Sequence, residues 1–193
     1  MAIRKFNDYE TTQTYKEYGQ LPKGGYTIKI LKAEVCENSI GQYIKLNCDI
    51  AEGEYLGFYS NEYKNQQSEN KKWHCNYLLN VPNDDGTERD GWTKRKFKTI
   101  IEAIEDSNSG YHFDWDEQKF KGKIVGGLFN ELEYKDNNGN IRRVTNLAKI
   151  CNVEKIRKNK FTLPNDVLLN KQEKNDFDKF MHIPDSELPF DFE

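Results

Sequence analysis

The sequence predicts a mainly β domain in which five strands curl into a barrel, with one helix between the third and fourth strands. Three observations predict it. Apolar and polar side chains alternate over several short stretches, the period of half-buried strands. The first of these stretches slips phase by one residue, as a bulged and bent strand does. Only one part of the body carries an apolar period of 3.6, and it falls between the third strand-like run and a final hairpin.

Residues 1–20 are polar and aperiodic and form an arm. Leu21-Pro22-Lys23-Gly24-Gly25 is a turn. In the first strand Tyr26, Ile28 and Ile30 share one parity, and Leu31, Ala33 and Val35 continue the apolar pattern on the other. In the second, Ile44, Leu46, Cys48 and Ile50 face the core while Tyr43, Lys45, Asn47 and Asp49 face away. Residues 52–72 are a long, polar, Tyr-rich connection. Trp73 to Val81 is the third strand, with Trp73, Cys75, Tyr77, Leu79 and Val81 on one side. Phe97, Ile100, Ile101 and Ile104 then mark a helix with Thr93 as its N-cap and Asn108-Ser109-Gly110 as its stop. A loop containing Tyr111, Phe113 and Trp115 leads to two strand-like runs, Gly122–Tyr134 and Ile141–Ile156, joined across Asp136-Asn137-Asn138-Gly139-Asn140. Around Arg142–Ala148 neither parity is consistently apolar.

Three strands, a helix and a hairpin is the order of the OB-fold, a five-stranded Greek-key barrel that binds oligonucleotides and oligosaccharides. An α+β sandwich with the same elements is the competing architecture. The body spans 21–164, and 165–193 form an acidic C-terminal tail.

The composition supports a modest core: 36% of the 193 residues are hydrophobic and 32% charged, but 11 Phe, 11 Tyr and 3 Trp supply apolar bulk. No apolar run approaches the ~18 to 20 residues of a membrane helix, so no membrane partner is expected. Met1-Ala2-Ile3-Arg4-Lys5 leads into polar residues, unlike a signal peptide. Cys36, Cys48, Cys75 and Cys151 contain no C-x-x-C pair, which predicts free thiols in a reducing cytoplasm. Charge is uneven. Residues 173–193 hold seven acids against two lysines, whereas residues 119–160 hold eleven basic side chains against four acids. A basic body with an acidic tail suits a polyanionic partner and a tail that competes with it.

Nothing argues for catalysis. His74, His112 and His182 belong to no H-E-x-x-H, G-x-S-x-G, Walker or Rossmann pattern. Asp114 and Asp116 lack a third acidic ligand nearby, and His74 with Cys75 lacks zinc-site spacing. The expectation is a non-enzyme without cofactor or metal.

Binding signals are stronger. Holding single strands without reading sequence takes aromatic faces for bases and cations for phosphates. Lys72, Trp73 and Tyr77 have that texture, although the parity of Trp73 matches core residues. Trp92, Lys94, Arg95, Lys96 and Lys98 have it too, with Lys94, Arg95 and Lys96 in the first turn expected for the helix. Cations there oppose the helix dipole and are placed for an external anion. Tyr43 and Lys45 form a similar pair on the outer wall, and Lys121, Lys123, Arg142, Arg143 and Lys149 make a phosphate track along the hairpin.

In the tail, Ile183-Pro184-Asp185-Ser186-Glu187-Leu188-Pro189-Phe190 resembles the acidic tip of bacterial single-stranded DNA-binding proteins, where acids precede a terminal Ile/Leu-Pro-Phe. The resemblance implies that Leu188, Pro189 and Phe190, with Asp185 and Glu187, dock replication or recombination proteins. Here Asp191-Phe192-Glu193 follow the Phe, a departure from that family's ending. In the body, Leu21–Tyr26, Ile100–Glu105, Phe120–Gly127 and Val153–Arg157 resemble a phage and prophage family of single-strand-binding or recombination-associated proteins with an OB-like body. That resemblance implies binding of single-stranded DNA in phage replication or recombination, in the cytoplasm of a bacterial host. It leaves open whether the protein is an oligomer. An adaptor in a recombination complex is the alternative, and a nuclease built on Asp114 and Asp116 ranks below both.

Overall fold

The computed structural model describes residues 7–10, 19–136 and 138–169. It contains strands β1 (Gly24–Asn38), β2 (Gly41–Ile50), β3 (Asn76–Asn80), β4 (Ile124–Lys135) and β5 (Ile141–Cys151), and helices α1 (Phe58–Asn65), α2 (Glu88–Ser107) and α3 (Val153–Arg157). A 3-10 turn covers Glu117–Phe120. The strands form one antiparallel sheet in the order β3-β2-β1-β4-β5. The fifteen-residue β1 makes this order possible by serving two partners: Ile28–Asn38 pair with β2 and Gly24–Lys29 with β4. Between Ile30 and Lys32 its register with β2 shifts, which places the expected bulge at Leu31.

The sheet is not a closed barrel, and this corrects the expectation. The two edge strands β3 and β5 approach to within 8 Å between Cα atoms but exchange no ladder hydrogen bonds. Only five residues long, β3 is taken up by its pairing with β2, and α2 packs against β3, β4 and β5. Phe97, Ile100, Ile101 and Ile104 of α2 join Ile28, Ile30, Leu46, Cys48, Leu79, Val125 and Phe129 in one core.

Strand β4 is buried on both faces through Val125–Asn130. Its inner face meets the core, where a Cβ on Gly127 would lie 2.9 Å from Ile28 Cδ1 and 3.0 Å from Leu147 Cδ1. Its outer face is covered by α3, and a Cβ on Gly126 would lie 2.7 Å from Ile156 Cγ1 and 3.0 Å from the Cys151 carbonyl oxygen. Further along, Val167 bridges Leu132 in parallel: its N–H donates to Glu131 O and its carbonyl accepts from Glu133 N, each at 2.9 Å. The Asp166 carboxylate accepts from Glu131 N (3.0 Å) and pairs with Lys23 (2.7 Å).

The helices differ most from the sequence reading. The connection 52–72 contains α1, whose Tyr59 and Ser60 amides donate to the buried Asp49 carboxylate at 2.9 and 3.1 Å. Helix α2 starts at Glu88, with Thr87 as N-cap accepting from Asp90 N and with Glu88 and Asp90 in the first turn, where the dipole favours acids. The end of the expected last strand is instead α3, capped by Asn152. Among the described residues, no helix is long and apolar enough to cross a membrane.

Candidate nucleic-acid interface

With α2 starting six residues earlier than expected, Lys94, Arg95 and Lys96 lie in its second and third turns, away from the positive end of the dipole. The expectation of a cationic first turn is therefore corrected, and the local chemistry changes with it. Lys94 is drawn to Asp84 and to the buried Asp90, whose carboxylate lies 3.0 Å away; these contacts hold its ammonium above the ordinary lysine value. Lys98 lies 3.7 Å from Glu102 one turn on. Arg95 is exposed and makes no ion pair among the described residues. Trp92 is 48% exposed, and the Lys96 ammonium sits 5.1 Å from its ring centroid. Burial pulls Lys96 below the ordinary lysine value. One helical turn thus presents a flat ring, a cation over it and a second, unpaired cation beside it.

The strand wall does not deliver the surface expected of it. Tyr43 is only 3% exposed although its parity points away from the core, and Tyr77 is 7% exposed within it. Both are corrected from contact residues to buried rings. Tyr77 lies inside because it alternates with Cys75 and Leu79, and the outer face at Tyr43 is covered rather than bare. Trp73 packs partly buried against the core and its indole N–H donates to the Cys48 carbonyl at 3.0 Å, which fixes the ring. Lys72 is tied through its backbone, its N–H and carbonyl both bonded to the Gln66 side-chain amide at 2.8 and 2.7 Å. Lys45 is half-buried opposite Glu34 of β1.

On the hairpin, carboxylates hold the arginines. Arg142 reaches Asp136 at 3.0 Å, and Arg143 reaches Glu131 at 3.2 Å and Glu133 at 2.6 Å. At these two positions of the expected track a phosphate would compete with carboxylates. Lys121 and Lys149 are exposed, and Lys123 lies over the Tyr111 ring at 4.2 Å.

The exposed ring not singled out in the sequence is Trp115. It is 78% exposed and its ring lies nearly parallel to Phe97, at 12° and 6.1 Å between centroids. Its signal was the alternation Tyr111, Phe113, Trp115 in a loop, which reads equally well as packing. The flanking Asp114 and Asp116 both face Lys119, and no group of three metal-ligating side chains lies among the described residues.

The tail residues Asp185, Glu187, Leu188, Pro189 and Phe190 lie outside the described residues. No protein-family model and no curated protein matches the chain.

Proposed function

We propose that this chain is a non-enzymatic, sequence-tolerant single-stranded DNA-binding protein of phage replication or recombination, acting in the cytoplasm of a bacterial host. It stacks bases and neutralises phosphates from the exposed side of α2 rather than from the strand wall. The observation that carries the reading is the half-exposed Trp92 with Lys96 over its ring and the unpaired Arg95 on the same stretch of helix. A flat face beside positive charge is what an unpaired strand requires, and any base can use it. The strand order, with β3 and β5 approaching each other without pairing, suits a partly open barrel of the OB type. The acidic tail is then the partner-docking segment that its resemblance implies.

Fluorescence anisotropy of a labelled oligo-dT, titrated across salt, tests this. Binding is expected with a log–log slope of about −0.7 per phosphate neutralised. Trp92→Ala should weaken binding by about 1–3 kcal/mol and change stability by no more than about 0.5 kcal/mol. An oligo-dT that leaves the anisotropy flat at low salt would sink the proposal.

A further inference from the structure

Of the large apolar side chains, Trp115 is the most exposed among the described residues, and its backbone φ is +67°. That is left-handed territory, which glycine and asparagine enter freely and a bulky side chain enters against steric resistance. The loop around it is firmly built. Phe113 N–H donates to the Glu105 carboxylate at 2.7 Å, and Gln118 N–H to the Asp116 carboxylate at 3.1 Å. The Gln118 side-chain amide reaches Ala33 O of β1 at 3.3 Å, and the Asn108 side chain ties the end of α2 to Ile124 at 2.7 and 3.0 Å. The ring therefore does not hang from a slack tether. It rests against the buried Phe97 and tilts across Phe113 at 5.5 Å, with the rest of its surface in water.

Core packing does not explain a ring four-fifths in solvent, and the positive φ argues against backbone convenience. The surroundings also speak against a protein partner. Its sequence neighbours Asp114 and Asp116 are both offset by Lys119, which leaves a polar, near-neutral surround, whereas a tryptophan that anchors a protein interface sits in an apolar surround that excludes water. A nucleobase asks only for a rigid, exposed face, and Trp115 offers one. We propose that Trp115 is a second stacking platform, which receives an unpaired nucleobase on its solvent side. This rests on the reading of the chain as a single-strand binder and adds a contact that lies on neither the strand wall nor α2.

The test compares the full-length chain with W115G, W115F and W92A, each titrated with labelled oligo-dT and each melted. W115G should lose about five- to a hundredfold in affinity, and W115F should stay within about threefold of wild type. Because glycine suits the observed φ, W115G should melt at or above the wild-type temperature. If W115G binds like wild type while W92A is weakened, the Trp115 platform falls and the single-strand reading stands. If none of the four proteins binds, the reading itself falls. A drop of more than about 5 °C in the W115G midpoint would assign the ring a structural role and overturn the platform.

Discussion

Two regions of this molecule share one texture in sequence and meet opposite fates in the fold. Tyr43-Ile44-Lys45 and Trp73–Tyr77 mix rings with polar and basic residues much as Trp92–Lys98 does. On the strands Tyr43 and Tyr77 are buried, and just before β3 Trp73 is locked to the Cys48 carbonyl. On α2 the stripe Phe97, Ile100, Ile101, Ala103 and Ile104 turns inward, and Trp92 and Arg95 stay in solvent. A strand gives every second side chain to the core, whereas an amphipathic helix gives little more than a third of its circumference. Aromatic and basic residues side by side therefore indicate a binding surface only once the period of the element carrying them is known.

The sharpest way to break this contrast is at Tyr77. Tyr77→Ala should remove about 3 kcal/mol of folding stability, read as a lower denaturant midpoint, because it empties a site inside the core. Tyr77→Leu keeps apolar bulk without a flat ring and should bind oligo-dT as wild type does. A folded Tyr77→Leu protein with a tenfold loss of affinity, about 1.4 kcal/mol, would put the binding face back on the strands.

Charge offers a second comparison with a smaller effect. Arg95 has no ion pair among the described residues, while Arg143 is shared by Glu131 and Glu133. If Arg95 meets a phosphate, Arg95→Ala should reduce the magnitude of the salt slope by about 0.7. Arg143→Ala should leave the slope alone and change stability little, as the loss of an exposed pair does. Equal slope changes for the two variants would mean that hairpin carboxylates yield to phosphate, and the track along β4 and β5 would return.

What could be read from the sequence was whatever periodicity carries. The slip at Leu31 became the bulge in β1, Asp136–Asn140 became the turn between β4 and β5, and the inward set of β2 lies in the core. The unreadable stretch near Ala148 has a cause of the same kind: the register shifts so that Leu128 opposes Lys149 while Phe129 opposes Leu147, which breaks the alternation. Features that depend on distant partners were hidden. The first-turn amides of α1 bond to Asp49, ten residues before Tyr59, and the burial of Tyr43 depends on what lies over its face. Thr87 and Thr93 are both reasonable caps locally, and Gly91 disguised the first turns of α2 as a loop. Whether the edge strands β3 and β5 pair is a matter of their relative placement, which a pattern of residue types does not encode. At the proposed site, the first-turn placement of Lys94, Arg95 and Lys96 did not hold, and the exposure and positive φ of Trp115 were not legible, because neither is visible in the identity of a tryptophan.

The smallest of the expected effects separates the two classes of ring directly. Burial pushes the phenol of Tyr77 up to about 12, and it does the same for Tyr26 and Tyr111; Tyr59 moves well above its ordinary value for that reason too. A phenol raised in the folded state is held neutral by the fold. Its contribution to stability is therefore complete below the ordinary value of 10.0 and is lost as pH rises from there toward about 12. An alkaline titration followed by tyrosinate absorbance should divide the eleven tyrosines. Exposed rings should ionise first, with the sheet intact, whereas the buried Tyr59 and Tyr77 should ionise only as the protein opens. Circular dichroism on the same samples ties the second step to unfolding. If every tyrosine titrated in one wave near pH ~10 while the sheet signal persisted, the strand rings would be open to solvent, and the distinction between the wall and the helix would vanish.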